Sequence, residues 1–136
     1  YLADVKVRLN KMLSKKYGPV KVNPKLVIFG HSAGGSTISS ISKSGDLCRE
    51  KPEFVVWSDS TYGRWFDSAW KSCLSSGVST VVLLRKWNKP HRQFKRFFKN
   101  KKVPEFLNVQ LYTGKITHTA IGDHALEFSG IFPEGC

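Results

Sequence analysis

Four short apolar runs, separated by segments of helical period, constrain the fold of this chain more than any other feature. They are Lys25-Leu-Val-Ile-Phe29, Phe54-Val-Val-Trp57, Thr80-Val-Val-Leu-Leu84 and Val109-Gln-Leu-Tyr112. Each is bounded by turn residues and lacks polar alternation, the pattern of a strand buried on both faces. Between them, apolar residues recur at helical spacing: Ile38 and Ile41, then Phe66, Ala69, Trp70, Cys73 and Leu74, then Phe94, Phe97 and Phe98 behind a helix-starting Pro90. A further helix precedes the first run, marked by Leu2, Val5, Leu9, Met12 and Leu13 and closed by Gly18-Pro19. A last one fits Ala120 to Phe128. Strands that alternate with helices need crossover connections, so the expected fold is α/β: a mostly parallel sheet of about four strands, flanked by helices on both sides in three layers. A length of 136 residues accommodates a single such domain.

In sheets of this kind ligands bind beyond the carboxyl ends of the strands. The first run leads directly into Gly30-His31-Ser32-Ala33-Gly34-Gly35, followed by a helical pattern. Residues 30–34 read G-x-S-x-G, a turn whose glycines let strand and helix approach closely while the serine projects its hydroxyl from a strained backbone. Ser32 is therefore a candidate nucleophile, and the N–H of Ala33, at the helix start, a candidate oxyanion donor. Residues 30–37 also satisfy the spacing of a phosphate-binding loop, but Ser36 occupies the position where that loop needs the lysine that reaches the phosphates. A purely structural glycine turn is the other alternative.

A serine hydroxyl is a weak nucleophile and needs a base, which in turn needs a group to hold it. Asp59 directly follows the second run, at the carboxyl end of a neighbouring strand, and is the expected acid; a helix-capping aspartate is the competing role. Asp67 and Asp123 fall on helical segments. Of the four histidines, His31 lies beside Ser32, where its ring is expected to pack on the sheet or line the pocket, as is Tyr62. His91 falls in a basic helix and is expected in solvent. His118 follows the fourth run after a short loop, at the start of the last helix, which returns it to the edge carrying Ser32 and Asp59. It is the expected base, with His124, nearly two turns on, as the alternative; a partly buried structural histidine is the competing role for His124.

The order Ser32, Asp59, His118 on alternating strands and helices resembles the α/β-hydrolase family, over nearly the whole chain but only that family's carboxyl-terminal half. Val27-Ile-Phe-Gly-His-Ser-Ala-Gly-Gly35 looks like its nucleophile turn. Val55-Val-Trp-Ser-Asp-Ser-Thr-Tyr-Gly63 resembles the strand-end acid of members that carry it one strand earlier than usual, and Ile116-Thr-His-Thr-Ala-Ile121 is similar to the terminal histidine loop. The resemblance implies hydrolysis or transfer of an ester, amide or related acyl group through an acyl-enzyme on Ser32, with no metal or organic cofactor. Family members place several strands ahead of the serine turn and draw a second oxyanion donor from there. Here one helix precedes it and the sequence opens on Tyr1, so residues 1–136 are expected to be the carboxyl-terminal part of a larger hydrolase domain, completed by an upstream segment or a partner chain.

Twenty-two Lys and Arg against ten Asp and Glu give a formal charge of +12, which accumulates anionic partners near the surface. Basic residues from Arg85 to Lys102 are interleaved with Trp87, Phe94, Phe97 and Phe98, a combination that can signify polyanion binding. The three phenylalanines make one helical face and are expected in the core, with Arg92, Lys95, Arg96, Lys99, Lys101 and Lys102 in solvent. No recognised nucleic-acid motif accompanies them; an anionic cell-wall or surface polymer is the partner class left open. A non-catalytic binding or assembly module using this basic surface is the alternative to a hydrolase. The three cysteines lack metal-ligand spacing. Cys48, before the second run, and Cys73, at the end of the next helix, should both fall at the amino-terminal edge of the sheet. A disulfide there implies an oxidising compartment, secreted or periplasmic, whereas free buried thiols would suit the cytoplasm. Cys136 is then unpaired or bonded outside residues 1–136. The longest uncharged stretch, Leu26 to Ser42, is interrupted by glycines, serines and His31 and does not read as a membrane span.

Overall fold

The computed structural model describes residues 2–19, 25–125 and 127. Helix α1 (Leu2–Tyr17) precedes strand β1 (Val27–His31). The chain continues through α2 (Gly34–Lys43), the short α3 (Asp46–Glu50), β2 (Phe54–Ser58), α4 (Trp65–Ser72), a 3-10 turn at Leu74–Ser76, β3 (Thr80–Arg85), α5 (Lys89–Phe98), β4 (Leu107–Tyr112) and α6 (His118–Asp123). The four strands form one all-parallel sheet in the order β1-β2-β3-β4, so their carboxyl ends lie along one rim. Among the described residues no helix is long and apolar enough to cross a membrane.

Alternation along the central strands divides the core in two. Val55, Trp57, Val82 and Leu84 face a large cluster with Ile38 of α2, Phe66 and Ala69 of α4, and Phe94 and Phe98 of α5. Val56, Val81 and Leu83 face the other way, against Ile121 of α6 and Ala125. Three layers result, but unequally. A strand order that advances steadily in one direction carries every right-handed crossover to the same face, so α2, α4 and α5 share one side and α6 covers the other. Phe66 is the hub of the larger cluster, with ring centroids 5.1 Å from both Trp57 and Phe94 in edge-to-face geometry.

Position in the sheet corrects one expectation. The first and fourth runs are not buried on both faces, because β1 and β4 are edge strands with a neighbour on one side only; Phe29 is 41% and Leu111 46% exposed. The apolar residues Val5, Leu9 and Met12 of α1 are also exposed. Gly18 ends α1 with φ 79°, the left-handed conformation that favours glycine after a helix. Helix α6 starts at His118, ahead of the expected Ala120, while Phe128 and Cys136 lie outside the described residues.

In α5, Asn88 caps the amino terminus by accepting from the His91 N–H at 2.9 Å, and Pro90 occupies the first turn, where its missing N–H has no partner to lose. Phe94 and Phe98 are buried and the six named cations are exposed, as expected, while Phe97 is half-buried against the same cluster. His91 is the exception: it is buried, and its Nδ1 accepts from the Trp87 N–H at 2.9 Å. Spaced at i, i+3 and i+7 with Phe94 and Phe98, it belongs to the buried face. Burial, followed by the charges of Lys95 and Lys86, pulls its pKa below the ordinary histidine value and keeps the ring neutral. At the amino-terminal edge of the sheet, Cys48 of α3 and Cys73 after α4 form a disulfide with a Cα–Cα distance of 5.7 Å.

Candidate active site

Two glycines make the turn after β1 possible, and they are not the pair that the G-x-S-x-G pattern names. A Cβ on Gly30 would lie 2.6 Å from Ile38 Cδ1, and one on Gly35 would lie 2.3 Å from the Ser60 carbonyl oxygen. A Cβ on Gly34 would meet nothing within 4 Å. The close approach therefore joins α2 to the segment after β2, beyond its own strand. Ser32, half-buried at the top of the turn, has φ 51°, a region that costs a non-glycine residue about 1–3 kcal/mol and persists where surrounding bonds enforce it. Its N–H is held by the Ser58 carbonyl at 3.2 Å. Ala33 is exposed and stands immediately before the first residue of α2.

The segment Ser58-Asp59-Ser60-Thr61 is fully buried, and each polar side chain reaches a different element. Ser58 Oγ donates to the Ile121 carbonyl of α6 at 2.8 Å, Ser60 Oγ to the Gly30 carbonyl at 3.0 Å, and Thr61 Oγ1 to the Pro90 carbonyl at 2.8 Å. Asp59, with φ 46°, is the centre of this segment. Its carboxylate accepts from Arg85 Nε at 2.7 Å, the Arg85 N–H at 3.4 Å, Asn88 Nδ2, and His118 Nδ1 at 2.8 Å. Burial alone would raise its pKa. The hydrogen bonds from His118, Arg85 and Asn88 outweigh that and hold the carboxyl below its ordinary value. An ionised carboxylate only accepts, so His118 must present an Nδ1–H, and it is Nε2 that is left to exchange a proton as a base.

His118 is the first residue of α6, and Thr117 caps that helix by accepting from the Ala120 N–H at 3.0 Å. His31 docks the helix onto the serine turn. Its Nε2–H donates to the His118 carbonyl at 2.8 Å, and the two rings stand 4.5 Å apart. A Cβ on Gly122 would lie 2.8 Å from the His31 ring, so glycine is required where α6 crosses it. The ring thus packs against α6. Tyr62 is half-buried with its ring 5.9 Å from that of Trp65. Burial and then the Asp59 charge push its phenol pKa up, with Arg85 opposing. His124, the residue that caps the carboxyl end of α6, is exposed, which does not fit a partly buried structural role, and its Nδ1 pairs with Glu127 Oε2 at 2.9 Å.

The sequence reading missed Arg85 and Asn88, which share the Asp59 carboxylate with His118. Arg85 directly follows the third apolar run and Asn88 lies three residues further on, beyond a strand's carboxyl end, but both sit within the basic segment. With Tyr112 and Thr113 they border a cleft of about 400 Å³ beyond the ends of β3 and β4. Among the described residues, no three His, Cys, Asp or Glu side chains group in a way that could hold a metal ion. Comparison of the chain with protein-family models, curated proteins and solved structures finds no match.

Proposed function

We propose that this chain is a serine hydrolase of the α/β-hydrolase type, acting on an ester or, alternatively, an amide or peptide bond. The observation that carries the reading is the 2.8 Å hydrogen bond between buried Asp59 and half-buried His118 at the rim where Ser32 stands on a strained turn. In this account Ser32 Oγ attacks the substrate carbonyl carbon while its proton passes to His118 Nε2. Asp59 stays ionised and stabilises the imidazolium. The Ala33 N–H donates to the oxyanion. Collapse expels the leaving group, which takes the proton from His118. Water, deprotonated by the same nitrogen, then attacks the acyl-serine and releases the acid. A second oxyanion donor from an upstream segment or partner chain belongs to this proposal. So does a secreted or periplasmic location, for which the Cys48–Cys73 disulfide is the support.

Burst kinetics test it. With p-nitrophenyl acetate, the chain should release one equivalent of nitrophenolate rapidly, then turn over more slowly. Ser32→Ala should show no burst, and His118→Ala should slow it by about a hundredfold or more. A burst that survives Ser32→Ala would refute the assignment. The second reading, a non-catalytic module that binds an anionic cell-wall or surface polymer, draws on the solvent-facing Arg92, Lys95, Arg96 and Lys99 of α5. Absence of any burst, with retention on an anionic polymer that is lost on charge reversal of these residues, would favour it.

A further inference from the structure

We propose that the groove between α5 and the edge strand β4 binds a single-chain anionic amphiphile, a fatty-acid carboxylate. Three observations carry this. First, the floor is apolar and accessible. The alternating face of β4 that carries buried Leu107 and partly buried Val109 against the core continues to Leu111, which is 46% exposed on the edge strand. Phe94 and Phe98 form the opposite wall, and the groove encloses about 490 Å³, within the roughly 300–1,000 Å³ typical of small-molecule sites. Second, the rim is cationic. Among the described residues Lys86, Lys95 and Lys99 line it and no carboxylate does, and the adjoining surface adds Arg92 and Arg96.

Third, an aromatic side chain is held out at the mouth. Trp87 is 66% exposed and has φ 70°, a conformation that needs support from its surroundings. The support is specific: buried His91 Nδ1 accepts the Trp87 N–H at 2.9 Å, and Arg92 Nη1 donates to the Trp87 carbonyl at 3.1 Å. The tryptophan is therefore presented on purpose-built backbone geometry beside both floor and rim.

These features select the ligand class. A polyanion without an apolar tail would leave the floor wet, and a neutral lipid would leave the lysines without counter-charge. A second copy would bring another +12 charges against the same rim. A carboxylate on an alkyl chain satisfies both parts. Lys86 and Trp87 also line the cleft beside Arg85 and Asn88, so the groove and that cleft adjoin. The inference does not rest on catalysis by Ser32.

Titration of the whole chain with monomeric dodecanoate, followed by calorimetry and tryptophan fluorescence, tests it. One dodecanoate should bind per chain, with a fluorescence change that disappears in Trp87→Phe. Dodecyltrimethylammonium and dodecyl maltoside should bind at least about tenfold more weakly. The double variant Lys95→Glu/Lys99→Glu and, separately, Leu111→Asp should each weaken dodecanoate by about tenfold or more. A control with the same change in net charge, Lys11→Glu/Lys43→Glu, should stay within about twofold of the parent. Circular dichroism checks that each variant folds. Retained binding in Ser32→Ala separates this site from the proposed catalysis. The proposal is overturned by equal affinity for the cationic amphiphile, by many dodecanoates per chain, by indifference to the groove variants, or by binding to anionic phospholipid vesicles with none to monomeric dodecanoate.

Discussion

Alanine substitution at Gly34 and at Gly35 should move stability in opposite directions, although the two residues are adjacent and the serine-turn pattern names only the first. A Cβ at position 35 would lie 2.3 Å from the Ser60 carbonyl oxygen and 3.1 Å from Ser60 Cβ. Neither atom can yield easily. Ser60 Oγ is bonded to the Gly30 carbonyl at 3.0 Å, and the flanking Asp59 and Thr61 are buried and hydrogen-bonded to other elements. Such overpacking costs about 3 kcal/mol, the upper part of the usual range, because backbone must shift. At Gly34 a Cβ meets nothing within 4 Å and the residue opens a helix, so alanine should stabilise by about 0.5 kcal/mol through the unfolded chain's lost freedom. For a domain of this size about 4 °C accompanies each kcal/mol. Gly35→Ala should then lower the melting temperature by about 12 °C and Gly34→Ala raise it by about 2 °C. Thermal and urea unfolding by circular dichroism measure both. A Gly34→Ala variant less stable than Gly35→Ala would refute the packing argument.

Asp59→Asn should cost about 3–5 kcal/mol at pH 7, since it leaves the Arg85 guanidinium without its charged partner. Hydrogen bonds from His118, Arg85 and Asn88 hold the Asp59 carboxyl below the ordinary aspartate value, so its contribution is full above about pH 4 and is lost as pH falls through the lowered native value. Urea unfolding against pH should therefore show an acid-limb slope that Asp59→Asn reduces; equal slopes in both proteins would contradict the assignment. Reduction of Cys48–Cys73, which closes a loop of sequence separation 25, should destabilise by about 3.5 kcal/mol on the chain-entropy account. Unfolding midpoints that coincide with and without reductant would rule that contribution out.

The strands were legible because four apolar runs stand between turn residues, and a run of that kind has few alternatives in a chain with crossover-length helical segments. Cys48 and Cys73 were legible for the related reason that their places in the βαβ order put both at one edge of the sheet. What the pattern lacks is the neighbour of each strand. Lys25-Leu-Val-Ile-Phe29 is as apolar as the central runs, and only sheet order makes Phe29 exposed. Strand order also decides that α2, α4 and α5 share a face. Asp59 and His118 could be nominated from their positions after strands, but Arg85 and Asn88 were hidden in a charge run whose other members are solvated. His91 was hidden in the same way; its spacing with Phe94 and Phe98 was the available signal. Gly35 could not be told from Gly34, since the close contact belongs to Ser60, which lies on a different loop.

Fluorophosphonate labelling, mapped to the modified residue by mass spectrometry, tests the central claim most directly. The account predicts a single adduct on Ser32 that is absent in Ser32→Ala, forms about a hundredfold or more slowly in His118→Ala, and stays within about twofold of the parent rate in His124→Ala. An adduct on another residue, or labelling of Ser32 that is indifferent to His118→Ala and lost in a folded His124→Ala, would contradict it.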